Sequence, residues 1–200
     1  MISKKERVAF FMALGVLSGL FGFVYEVIFY FFNSGCKGWY IRGITFGPWI
    51  DIYVIGGLFI YFLCRKIKHK PVLVFVASGV ICGALEYLAG LLIYTLNNGH
   101  RAWNYNTEIL NFGSINGFIC LRSVLFFAAS GLFLIYVMIP FIQKLLSSKH
   151  KKIFTNIFIV LGVLFLIDEI YNLMAYINLF GLKKASYFYD KLGIKYWSSK

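Results

Sequence analysis

The sequence predicts an all-α polytopic membrane helix bundle, and three observations predict it. Of 200 residues, 60% are hydrophobic and 20% aromatic, well above the roughly half-apolar balance of soluble domains. The apolar residues gather in runs that approach or exceed the roughly 20 residues a helix needs to cross about 30 Å of hydrocarbon. Alternation at period two, the mark of a membrane barrel, is absent.

Five spans follow in chain order. The first, Val8 to Phe32, comes after Lys4, Lys5 and Arg7, as the core of a signal peptide would. It is too long for such a core, however, and no small-x-small cleavage site leads into polar sequence, so it reads as a retained helix. Pro48 to Cys64 is the second span, Val72 to Leu96 the third, Ile115 to Ile142 the fourth and Ile153 to Ile177 the fifth. Residues 1–178 thus read as a single membrane domain. Residues 179–200 form a basic aromatic tail in which Tyr187, Phe188, Tyr189, Leu192 and Trp197 lie among lysines, the composition of an interfacial helix.

The formal charge of +12 does not indicate nucleic acid, because the lysines and arginines border the spans. Arg65, Lys66, Lys68 and Lys70 fill one loop, Lys144, Lys149, Lys151 and Lys152 another, and Lys4, Lys5 and Arg7 the start. The positive-inside rule places all three in the cytoplasm of a cell-membrane protein, with the amino terminus inside. The loops Asn33 to Gly47 and Asn97 to Ser114 then face outward. An odd number of spans puts the tail outside as well, although it carries Lys183, Lys184, Lys191, Lys195 and Lys200. Cys36, Cys64, Cys82 and Cys120 show no CxxC spacing and indicate neither a disulfide framework nor a metal site, and nothing in the chain calls for a cofactor.

Six charges fall inside the spans: Glu26, Asp51, Glu86, Arg122, Asp168 and Glu169. Counted at about 1.5 Å per residue, all lie in the outer half. A charge near the bilayer centre costs about 2.5 to 3.5 kcal/mol on insertion scales and normally faces a partner or water. Their common depth implies a polar cavity open to the outside.

The two glutamates carry a repeated pattern. Gly15, Gly19, Gly22 and Glu26 share one helical face, and Gly79, Gly83, Glu86 and Gly90 share another. Such small-residue faces are expected to be buried against a second helix. Glu26 is followed 16 residues later by Arg42, and Glu86 15 residues later by Arg101, each in an outer loop. Two parallel halves offset by about 60 residues would look like this, with a binding site between them. The loops KGWYIRGITFGPWID and NNGHRAWNYNTEILNFGSIN are structured or re-entrant in this reading, as irregular backbone at membrane depth is allowed where protein or water covers it. An interfacial aromatic belt accounts for many of their rings but not for Arg42, Arg101, Asn104 and Asn111. The candidate binding set is therefore Glu26, Arg42, Asp51, Glu86, Arg101, Trp103, Asn104, Asn111 and Arg122.

At these motifs the chain resembles a bacterial family of small membrane proteins known as ABC-transporter permeases. The family pattern runs YE, RGxxxGPxxPIYGxG, EYxxG, RxWDY and NxxGxIxL. Here stand Tyr25-Glu26, then Arg42-Gly43 with Gly47-Pro48 and Ile52-Tyr53, then Glu86-Tyr87 with Gly90. Arg101, Trp103, Asn104 and Tyr105 follow, and Asn111 to Leu121 matches the last segment imperfectly. The resemblance covers about residues 10 to 135. Asp51 replaces the proline of PIYG, Val54 its glycine and Asn104 the aspartate of WDY, so an acid is gained at one place and lost at another.

The resemblance implies a transport component. Because the chain holds no GxxxxGK[ST], ATP hydrolysis would fall to a separate ATPase subunit. The first reading is a permease or substrate-capturing subunit that binds a small polar or zwitterionic solute, with Glu26 and Glu86 for cationic groups and Arg42 and Arg101 for anionic ones. A second is an intramembrane enzyme acting on a lipid head group at the outer leaflet, with buried carboxylates as acid or base. Against it, HExxH and GxSxG are missing, and His69, His100 and His150 all lie outside the spans. A third is an assembly protein without turnover, whose charges only specify helix pairing.

Overall fold

The computed structural model describes residues 3–43 and 45–195; Ile44 of the first loop and Trp197 and Lys200 of the tail lie outside the described residues. Among the described residues, seven α-helices and short 3-10 turns make up most of the regular structure: α1 (Lys4–Asn33), α2 (Asp51–Cys64), α3 (Pro71–Leu96), α4 (Leu121–Phe133), α5 (Ile139–Leu146), α6 (Lys151–Tyr176) and α7 (Ala185–Lys191). Ser3 and Glu6 close a reciprocal cap on α1, Pro71 starts α3, and α1 ends where Gly35 and Cys36 turn to positive φ of 67° and 61°. A π turn at Leu134–Met138 joins α4 to α5 just ahead of Pro140, which has no N–H to continue the α ladder.

Among the described residues, four helices are long and apolar enough to cross a membrane: α1, α3, the continuous Leu121–Leu146 and α6. Three of the expected spans correspond closely to α1, α3 and α6. The fourth starts later than expected, because Asn116 and Gly117 take φ of 53° and 70° and hold residues 115–120 in a turn. In the second expected span, Pro48 to Cys64, helix begins at Asp51. Its helix, α2, has 14 residues, which at 1.5 Å each is roughly 21 Å and short of a crossing on its own. Pro48 disfavours helix in the residue before it, and the N–H groups of Phe46 and Gly47 are claimed by a side chain of α6, so the chain before α2 stays non-helical.

The chain forms two compact units, one from Met1–Ile55 and Ile139–Trp197, the other centred on Gly56–Met138. In the first, α1 and α6 run side by side in the same direction. Lys151 pairs with Glu6 at 3.0 Å, Lys5 donates to Asn156 at 3.0 Å, and a Cβ on Gly162 would meet Met12 at 2.5 Å. Their far ends carry the tail. Tyr189 donates to the carbonyls of Thr45 and Phe46 at 2.9 Å each, Ala185 N–H donates to Asn172, and Ile41 N–H to Lys195 O. In the second unit, α3 and α4 are antiparallel: Ser78 lies against Gly131, Gly79 against Val124 and Ala128, and Gly83 against Ile119 and Val124.

Candidate functional site

In the first unit the glycine face of α1 is buried, yet what covers it is not a full-length helix. Gly19 lies against Trp49 and Val54, and Gly22 against the ring of Tyr53. Ile50 N–H even donates to the carbonyl of Gly19 at 3.3 Å, an approach that a side chain at position 19 would obstruct. One turn beyond Gly22, Glu26 meets Arg42 in an ion pair of 3.0 Å between Oε2 and Nε, with side chains only 16% and 13% exposed. Tyr53 Oη donates to the other carboxylate oxygen at 3.3 Å. The Arg42 guanidinium lies 4.7 Å from the centre of the Tyr30 ring, so a carboxylate and an aromatic face hold it together.

The bent, non-helical approach to α2 hangs on Asp168. Phe46 N–H donates to its Oδ1 at 3.0 Å, and Gly47 N–H and Trp49 Nε1–H to its Oδ2 at 2.7 and 3.0 Å. Asn172, one turn further along α6, adds a donor at 2.7 Å and accepts from Ala185 N–H at the start of α7. Thr45 is buried and caps the bend through its hydroxyl, which donates to the carbonyls of Gly47 and Trp49. Asp168 sits about two-thirds of the way along a span-length helix, so a non-helical segment lies beside that helix with its donors satisfied by one carboxylate. Asp51, the first residue of α2, lies beside the Glu169 carboxyl of α6.

The second unit builds a related arrangement from different parts. Gly79, Gly83, Glu86 and Gly90 are all buried on α3. Glu86 is 5% exposed and accepts a hydrogen bond from Tyr105 Oη. The Tyr105 ring in turn lies 5.1 Å from the Arg122 guanidinium, and Arg122 pairs with Glu108 at 2.7 Å. Arg122 stands in the first turn of α4, where the helix dipole disfavours a cation, and the Glu108 carboxylate offsets that. Arg101 donates to the carbonyl of Asn116 and lies 4.9 and 4.5 Å from the ring centres of Tyr94 and Phe118. Gly117 makes room for it: a Cβ there would meet Asn104 Oδ1 at 2.5 Å and Arg101 Nη1 at 3.0 Å. Trp103 Nε1–H donates to Phe118 O at 3.0 Å, Asn104 caps the turn at Asn106, and Asn111 donates to Asn106 O. Trp103, Asn104 and Asn111 thus act on the loop backbone itself.

Of the candidate residues, Glu26 and Arg42 meet directly and Glu86 and Arg122 meet through Tyr105. Arg101 has aromatic rings and a carbonyl around it. Among the partners that were not candidates are Tyr53, Tyr105 and Glu108. Their contacts join a loop or a helix start to another element, and neither helical nor strand spacing encodes such pairs. The resemblance touched Tyr53 and Tyr105 as motif positions, which was the one signal pointing to them.

Residues 11–173 match the family model described as "Putative ABC-transporter type IV". No curated protein and no solved structure matches the chain.

Proposed function

The chain belongs to that ABC-transporter family, and on this premise we propose that it recognises a small polar or zwitterionic solute with the charged groups of its spans while a separate ATPase subunit supplies the energy. The observation that carries the reading is the Glu26–Arg42 pair, largely shielded from solvent and bracketed by Tyr30 and Tyr53. Charges kept in membrane helices are expensive and commonly mark a solute or ion path. Glu86, held by the Tyr105 hydroxyl, is its counterpart in the second unit. Copurification of a nucleotide-binding subunit with the tagged chain tests the partnership, and isolation of the chain alone from native membranes would count against it.

Glu86→Gln separates recognition from packing. Gln keeps the shape and can still accept from Tyr105, but the charge is gone. The variant is expected to fold with a melting temperature near wild type and to lose solute uptake or binding by roughly tenfold to a hundredfold, since a charge-assisted contact contributes about 1.5 to 3 kcal/mol. Full activity in a stable Glu86→Gln protein would end the functional role of Glu86.

In this reading the amino terminus is cytoplasmic. Because α7 and Lys195 pack on the Ile41 to Phe46 segment, the tail shares the side of the first outer loop. Cys36 is the exposed cysteine, whereas Cys64, Cys82 and Cys120 are buried. An impermeant maleimide is therefore expected to label Cys36 on intact cells and to leave His69→Cys and Ser148→Cys unlabelled until the cells are opened. The reverse pattern would invert the orientation.

A further inference from the structure

We infer that the Glu26 site takes the organic-cation group of the solute, a guanidinium or alkylammonium, and that Arg42 is a tethered occupant this group displaces. The inference rests on the transporter reading and narrows its substrate. Around the Arg42 guanidinium stand a carboxylate oxygen at 3.0 Å and the face of Tyr30 at 4.7 Å, and Tyr53 holds the second carboxylate oxygen at 3.3 Å. Tyr25 packs edge-on to Tyr53, with ring centres 6.5 Å apart, and stacks on Phe29 at 6.1 Å. An anionic oxygen beside aromatic faces is the chemistry that binds a cation with an apolar or planar body, and it offers an anion nothing.

The two halves of the pair differ in how they are mounted. Glu26 and Tyr30 lie on the long helix α1, and Tyr53 on the first turn of α2. Arg42 comes from non-helical chain, next to Gly43 at φ 104°. The acceptor side thus stands on helices, and the cation is carried by a long side chain on non-helical backbone, able to swing aside by its own bond rotations while the backbone stays tied. Departure also frees a guanidinium for the anionic end of a zwitterion, so one exchange reads both charges of such a solute.

The test is calorimetric titration of the purified full-length protein with methylguanidinium and, separately, tetramethylammonium, with acetate and glycine betaine alongside. Removing a tethered competitor raises the affinity for a free one, so Arg42→Ala is expected to bind methylguanidinium about tenfold more tightly than wild type. Glu26→Gln is expected to weaken binding tenfold or more in either background, and Tyr30→Leu severalfold. Methylguanidinium binding that is indifferent to Glu26→Gln, or no tighter in Arg42→Ala, overturns the inference. Should Arg42→Ala not fold alone, methylguanidinium must restore its thermal transition where sodium chloride does not; no restoration overturns the inference equally. Acetate or betaine that binds wild type through Arg42, with both cations inert, removes the inference and leaves the transporter reading standing. No binding by any of the four, together with unchanged uptake in Glu86→Gln, removes both.

Discussion

Asp168→Ala is expected to be among the most damaging single substitutions in the chain, lowering the melting temperature in detergent by roughly 10 °C or abolishing expression. The reason is a count of donors. The Asp168 carboxylate accepts from Phe46 N–H, Gly47 N–H, Trp49 Nε1–H and Asn172 Nδ2. The first two are backbone groups of a segment that has no ladder of its own, and both lie beside a span-length helix. Each orphaned buried donor costs about 1 to 3 kcal/mol, and on the order of 4 kcal/mol remains after some relaxation. Asp168→Asn keeps one carbonyl acceptor and should fall between. Asn172→Ala removes one donor to Asp168 and the acceptor for Ala185 N–H, and should cost about 1 kcal/mol. Thermal melts of the three variants check the order Ala, then Asn, then the Asn172 variant. An Asp168→Ala protein that melts with wild type would show that the Phe46 to Trp49 segment does not depend on this carboxylate.

That segment also shows where reading the sequence stops. The glycine faces of the first and third helices are legible because their spacing is helical, and Gly15, Gly19 and Gly22 are buried together, as are Gly79, Gly83 and Gly90. The Glu26 and Arg42 pair is legible through the repeated Glu-to-Arg spacing. The break before α2 is not, because Pro48 to Cys64 is an apolar run of nearly span length, and hydropathy does not register which carbonyl or carboxylate receives an N–H. Asp168 stands out in the sequence as a costly charge, but two of its donors are backbone N–H groups more than a hundred positions away, where residue type carries no signal. The tail's contacts with Thr45 and Phe46 were hidden for the same reason: Tyr189 donates to carbonyl oxygens that every residue owns. Arg101 is an instructive divergence, since the same spacing that joins Glu26 to Arg42 leaves Arg101 among Tyr94, Phe118 and Asn116, while Arg122 reaches Glu86 through Tyr105.

The glycines of α1 should respond to alanine in a graded series set by distance. At Gly15 the added Cβ would lie 3.4 Å from Val54, an ordinary contact, so Gly15→Ala is expected to be neutral or to gain up to about 1 kcal/mol from helix propensity. At Gly19 it would come within 2.8 Å of both Trp49 Cβ and Val54 Cγ2, a moderate overpacking that costs about 1 to 2 kcal/mol. At Gly22 it would fall 2.1 Å from Tyr53 Cγ and 2.7 Å from Tyr53 Cβ. Those atoms are the root of the ring rather than a flexible tip, so the first turn of α2 has to move away from α1, at about 3 kcal/mol or more. The displacement also takes the Tyr53 hydroxyl from Glu26, so Gly22→Ala should impair cation binding at that site as well as stability. Gly22→Ala combined with Tyr53→Ala relieves the clash and should melt above the sum of the two single losses, the non-additivity expected of residues in direct contact. Thermal melts across the series decide it: equal effects at all three glycines, or strict additivity in the double variant, would mean that α1 and the start of α2 do not meet at Gly22.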